Sequence, residues 1–79
     1  CFPNPAPDIT TLEFFMQRPG QVYIEIYKTD GRLIRKLEPF AGEFGYQSKP
    51  INLSGLESGM YLLKLRTGKF GGTVQVVKK

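Results

Sequence analysis

Along most of this chain apolar and polar residues alternate, the two-residue period of strands that bury one face. The cleanest run is Gln21–Tyr27, where Val22, Ile24 and Ile26 share one face and Tyr23, Glu25 and Tyr27 the other. Lys28-Thr29-Asp30-Gly31-Arg32 follows, and its Asp-Gly pair is the strongest short-range hairpin signal present. Leu33–Leu37 is the return strand. Met60–Thr67 alternates again, with Tyr61, Leu63 and Leu65 opposite Met60, Leu62, Lys64 and Arg66, and Thr73–Lys78 sets Val74 and Val76 against Gln75 and Val77.

The segments between are less regular. In Asp8–Met16, Ile9, Leu12 and Met16 fall at helical spacing and Thr10 with Glu13 would form a capping box. Three consecutive β-branched residues, Ile9 to Thr11, and the alternation of Leu12, Phe14 and Met16 favour a strand instead. Glu38–Tyr46 reads as an irregular connection whose Phe40 and Phe44 lie over the core as lids. Tyr46–Lys49 pairs briefly before Pro50, and Ile51–Leu53 is a short strand. Ser54–Gly59 is a tight connection that buries Leu56, and Gly68–Gly72 is a turn. About seven short strands with turn signals every 8 to 12 residues predict an all-β fold, an immunoglobulin-like antiparallel β-sandwich. The buried Trp and paired cysteines of an antibody domain are missing, so only the architecture is shared.

Composition agrees. Val, Ile, Thr, Phe and Tyr supply 24 of the 79 residues, against two Ala. The 9 Gly and 6 Pro are so spaced that no stretch free of both exceeds 11 residues, which excludes helical bundles and membrane-spanning helices. A chain of this length is one domain. We divide it into a proline-rich linker over residues 1–7, with Pro3, Pro5 and Pro7 at alternate positions, and a single sandwich over 8–79.

With no His, one Cys and two Asp, the chain cannot assemble a Ser-His-Asp or Cys-His unit, a zinc cage or a His-based acid/base pair. No catalytic residue, metal or cofactor is expected, and function must be recognition or structure. Gly71-Gly72 makes no phosphate cradle, because no helix follows it. The net charge of +4, from 11 basic and 7 acidic residues, is scattered, so solubility accounts for it and nucleic acid is not an expected partner. Cys1 has no partner for an internal disulfide, and a start at Cys with no signal peptide points to a segment of a longer protein.

Several blocks, in order, carry a resemblance. Phe2-Pro3-Asn4-Pro5 is followed shortly by Asp8. Val22–Leu33 is a strand, an aromatic, a short turn with Gly31, a basic residue and a second strand. Ile51–Leu65 contains Gly55, Leu56, Gly59 and Tyr61, with Gly-x-Tyr opening a strand, and the chain closes with an apolar strand and Lys78-Lys79. This series resembles the C-terminal sorting domains of the type IX secretion system over essentially the whole chain. Phe2 replaces a commoner Tyr, and Gly71-Gly72 stands where a polar or basic residue often leads into the last strand.

The resemblance implies a signal fused behind a cargo, in transit through the periplasm and destined for the cell surface or the medium of a Gram-negative bacterium. Its implied partners are an outer-membrane translocon, a carrier protein and a sortase-like cysteine peptidase. That peptidase would cut upstream of the domain and commonly join the cargo to anionic lipopolysaccharide. A last strand with unpaired backbone groups suits strand addition by a receptor, which makes Val74, Val76, Val77, Lys78 and Lys79 the candidate recognition residues. Pro3, Asn4, Pro5, Gly31, Gly55, Leu56, Gly59 and Tyr61 are expected to serve the fold. The competing function is an accessory module of an extracellular enzyme or adhesin that spaces domains or binds glycan, for which Tyr23 and Tyr27 are the candidate platform.

Overall fold

The computed structural model describes residues 7–68 and 70–79. Seven strands form among them: β1 Ile9–Met16, β2 Gly20–Lys28, β3 Leu33–Lys36, β4 Phe40–Gly42, β5 Gly45–Asn52, β6 Gly59–Thr67 and β7 Phe70–Lys78. β1 and β5 pair antiparallel as one sheet, and the other has the order β3-β2-β6-β7, with β4 paired to the start of β2. The two layers enclose one core, so the fold is the predicted immunoglobulin-like β-sandwich. The proline-rich opening, including Pro3, Asn4 and Pro5, lies outside the described residues.

Periodicity decides what each sheet buries. β2 contributes Val22, Ile24 and Ile26, β6 contributes Tyr61 and Leu63, and β7 contributes Val76. From the smaller sheet Leu12, Met16 and Ile51 face them, with Leu53 just beyond β5. Each such side chain contributes roughly 1.5–3 kcal/mol relative to exposure. In β1 the two-residue period wins over the helical spacing: Thr10, Leu12 and Met16 are buried and Phe14 packs on the core, while Ile9 is exposed. β5 supplies a partner along all of β1, so a strand satisfies every backbone group on that side.

The β2–β3 hairpin turns at Gly31, whose φ of +92° is open to glycine and costly for other residues. The turn is closed by hydrogen bonds from Gly31 N to Lys28 O and from Lys28 N to Arg32 O, both 2.9 Å. The Asp30 carboxylate accepts from Arg32 N at 3.0 Å.

Three segments differ from the sequence-based expectation. Part of the 38–46 connection is strand β4. Leu37 N still donates to Ile24 O at 3.0 Å, then Pro39, which has no N–H, interrupts the ladder, and pairing resumes one residue out of register at Val22↔Phe40. β5 is continuous through Pro50, which an edge strand with a single neighbour tolerates. Gly71 and Gly72 belong to β7 rather than to a turn, because Thr67 already pairs with Phe70. Phe40 does pack against the core, but Phe44 is exposed and is no lid.

Candidate functional site

Four of the candidate recognition residues lie on β7 and Lys79 directly follows it; β7 is an edge strand whose one sheet neighbour among the described residues is β6. Val76 is fully buried beside Tyr61, and Val74, opposite Leu63, is partly buried against the core. Val77 is half-buried on the outer face opposite Met60. The terminal lysines differ from each other. Lys78 shares the inward parity of Val74 and Val76 and is only 9% exposed. Its Nζ lies 3.4 Å from Asp8 Oδ1 and donates to Lys79 O at 3.1 Å. Inward alternation thus buries one of the two candidate lysines, Lys78, and Lys79 alone is exposed.

Asp8 also ties β1 to the loop after β5, because its carbonyl accepts from Leu53 N at 2.6 Å. With the ion pair to Lys78, this one residue holds the start of the sandwich to the end of β7. The carboxylate is 68% exposed, so the charge attraction is screened and modest; its role is to give the buried ammonium a partner.

Within the block over residues 51–61, the end of β5 and the start of β6 are joined by a closed loop. Ser54 N donates to Asn52 Oδ1 at 2.9 Å, and Leu56 N donates to Leu53 O at 3.2 Å. Leu56 packs against the core, and Gly55 takes a φ of +82° between those bonds. The Tyr61 ring is buried, and its hydroxyl donates to Glu57 O at 2.7 Å. Gly59 opens β6 opposite Lys78. Arg35 reaches across from β3 to donate to Asn52 O at 3.0 Å and Ser54 O at 3.2 Å. Neither this clamp nor the Asp8–Lys78 pair was foreseen, since no spacing in the sequence links residues so far apart.

Tyr23 and Tyr27 share the outer face of the larger sheet with Glu25, as the alternation predicts, but they form no open aromatic row. The Arg66 guanidinium lies 4.8 Å from the centre of the Tyr23 ring, and Lys64 Nζ lies 4.6 Å from that of Tyr27. Tyr27 donates to Glu25 Oε1 at 2.9 Å. That bond favours the neutral phenol and, with desolvation and the carboxylate charge, holds its pKa above the ordinary 10.0, against the pull of Arg66. A phenol that keeps its proton longer when folded supports the fold up to about its unfolded pKa of 10, and that support is lost as pH rises through the higher folded value. Glu25→Ala is therefore expected to lower the Tyr27 midpoint in an alkaline ultraviolet titration; an unmoved midpoint would refute the assigned cause.

Among the described residues no cluster of three or more Cys, Asp or Glu could hold a metal ion, and no helix is long and apolar enough to cross a membrane. What the fold offers is an edge strand, a tied loop and exposed surface. A family model for the secretion system C-terminal sorting domain matches residues 1–79, the whole chain. The chain belongs to that family. As a type IX C-terminal sorting domain it is a signal for export to the cell surface or the extracellular space, working with the secretion machinery on a fused cargo. The family is not one of enzymes. No curated protein sequence matches the chain.

Proposed function

We propose that the sorting domain is read in its folded state, by addition of a receptor strand to the outer edge of β7. The observation that carries this reading is the character of that edge. From Phe70 to Val77 the strand has neither a proline nor a charge, the two devices that most often protect exposed edges from pairing. Backbone hydrogen bonds along Gly71–Gln75, where Gly71, Gly72, Thr73 and Gln75 are exposed, would supply affinity, and side chains at alternate positions specificity. Val74, Val76 and Lys78 then act by holding β7 in register, while Val77 and Lys79 face the receptor. The receptor is the outer-membrane translocon or its carrier, met after the cargo has crossed the periplasm. A sortase-like cysteine peptidase then removes the domain by cutting upstream of Asp8. The glycan-binding alternative loses its platform, because cations already cover Tyr23 and Tyr27.

The test fuses residues 1–79 behind a neutral periplasmic reporter in a bacterium that has this secretion system. The reporter is expected at the surface without the domain, and an intact fusion held in the periplasm overturns the sorting reading. Thr73→Lys with Gln75→Lys places two charges at exposed positions of the edge and leaves the core alone. Export of that fusion is expected to fall at least tenfold with an unchanged unfolding midpoint. Unchanged export removes the edge from the mechanism.

A further inference from the structure

Among the described residues the exposed large apolar side chains are sorted by chemistry between the two ends of the sandwich. Ile9, Leu33 and Met60, all aliphatic, lie at the end where β1 begins and β2 finishes. The four exposed aromatics among the described residues are at the other end: Phe15 (49% exposed), Phe44 (69%), Tyr46 (86%) and Phe70 (71%). Topology gathers them, since β1 ends, β5 begins and the β6–β7 hairpin turns at that pole. Phe15 is the hub, edge-on to Phe44 at 5.7 Å and to Tyr46 at 5.1 Å between ring centres. None of these four side chains is part of the core.

Beside the cluster a groove runs between the β1–β2 and β6–β7 turns, walled by Phe15, Tyr23 and Phe70 and carrying Arg18 and Arg66. No carboxylate lines it. Among the described residues neither arginine is in an ion pair. The Arg66 guanidinium sits over the Tyr23 ring, 4.8 Å from its centre, a contact that holds the side chain at the groove, and a guanidinium so held can still donate N–H groups to a carboxylate. Among the described residues the lining joins aromatics and arginine with no Asp or Glu, the bias of the buried centre of protein–protein interfaces.

We propose that this pole is a docking site for an acidic segment of a protein partner, one that sets aromatic or aliphatic side chains on Phe15 and Phe70 and carboxylates on Arg18 and Arg66. Charge complementarity selects that occupant. A second copy of a chain with a net charge of +4 would bring the same arginines against each other. The site adjoins the start of β7 at Phe70 but does not depend on the Gly71–Gln75 edge being read. Asp8, just before β1, lies toward the opposite end of the sandwich, with the eight residues of β1 between it and the pole.

The experiment titrates the 15N-labelled 79-residue chain with the capped peptide Asp-Glu-Phe-Asp-Glu-Tyr, with its Asn/Gln counterpart, and with oligogalacturonate as an anionic saccharide. The acidic peptide is expected to give saturable amide shifts at Phe15, Arg18, Arg66 and Phe70, weakening as salt is added. Its affinity is expected to fall at least tenfold for the amide counterpart, and equally for the Arg18→Gln, Arg66→Gln variant with an otherwise unchanged spectrum. Shifts confined to the opposite pole, no saturable shift, or equal affinity for the amide peptide would overturn the proposal. Tighter binding of oligogalacturonate would replace the protein partner with a glycan. All of these readings are made without export, so they stand apart from the fate of the strand-edge proposal.

Discussion

Replacing Leu63 with alanine is expected to destabilise the domain by about 2–5 kcal/mol, the range for deleting a buried leucine side chain and leaving a partly collapsed cavity. Leu63 is 1% exposed on β6, a strand with neighbours on both sides, where it stands between Ile26 of β2 and Val74 of β7. A single domain of this size is held by only about 0.05–0.15 kcal/mol per residue, so the loss removes a large share of the total. In urea the unfolding midpoint should drop with little change in slope. Leu62→Ala, a half-buried neighbour on the outer face of the same strand, is the control and should cost far less. Equal losses from the two would mean that the inward and outward faces of β6 have been exchanged. Because the proposed recognition edge exists only while β7 is held on β6, export of a Leu63→Ala fusion should fall together with its stability.

How much of this was legible beforehand follows from what each signal measures. Alternation measures burial on one face, so β2 and β6 were readable residue by residue, and Val22, Ile24, Ile26, Tyr61 and Leu63 were assigned to the faces they occupy. In β1 two periods competed, and the outcome depended on β5, a strand distant in sequence that pairs with all eight of its residues. Pro50 and Gly71-Gly72 read as breaks because local propensity takes no account of whether a strand has one neighbour or two. The burial of Lys78, read only as a candidate recognition residue, was not legible, because the carboxylate that partners its ammonium comes from Asp8, at the far end of the sequence. The aromatic pole was not legible at all. Phe15, Phe44, Tyr46 and Phe70 come from three separate parts of the chain, and only the strand order brings them to one end.

Gly42→Val is expected to destabilise by about 1–3 kcal/mol through overpacking, and the reason distinguishes this glycine from those at the turns. Gly42 is buried on β4 opposite Gly20, and its φ is not positive, so the backbone there would accept any residue. What it lacks is room. A β-carbon built at Gly42 would run into the Met16 thioether, and it would sit 3.0 Å from Val22 Cγ2 and 3.1 Å from Met16 Cε. Met16 is itself part of the core, so it cannot swing into solvent without losing its own burial. Gly42→Ala should cost less than valine, and combining it with Met16→Ala should be milder than the sum of the two single changes, with a coupling of about 0.5–3 kcal/mol. Gly31→Ala gives the contrast: nothing lies within 4 Å of the added carbon, but the φ of +92° remains. Its cost of about 1–2 kcal/mol is conformational, and trimming a neighbour should not relieve it. If Met16→Ala fails to rescue Gly42→Ala, the close approach of β4 to β1 across the core is not what requires glycine at this position.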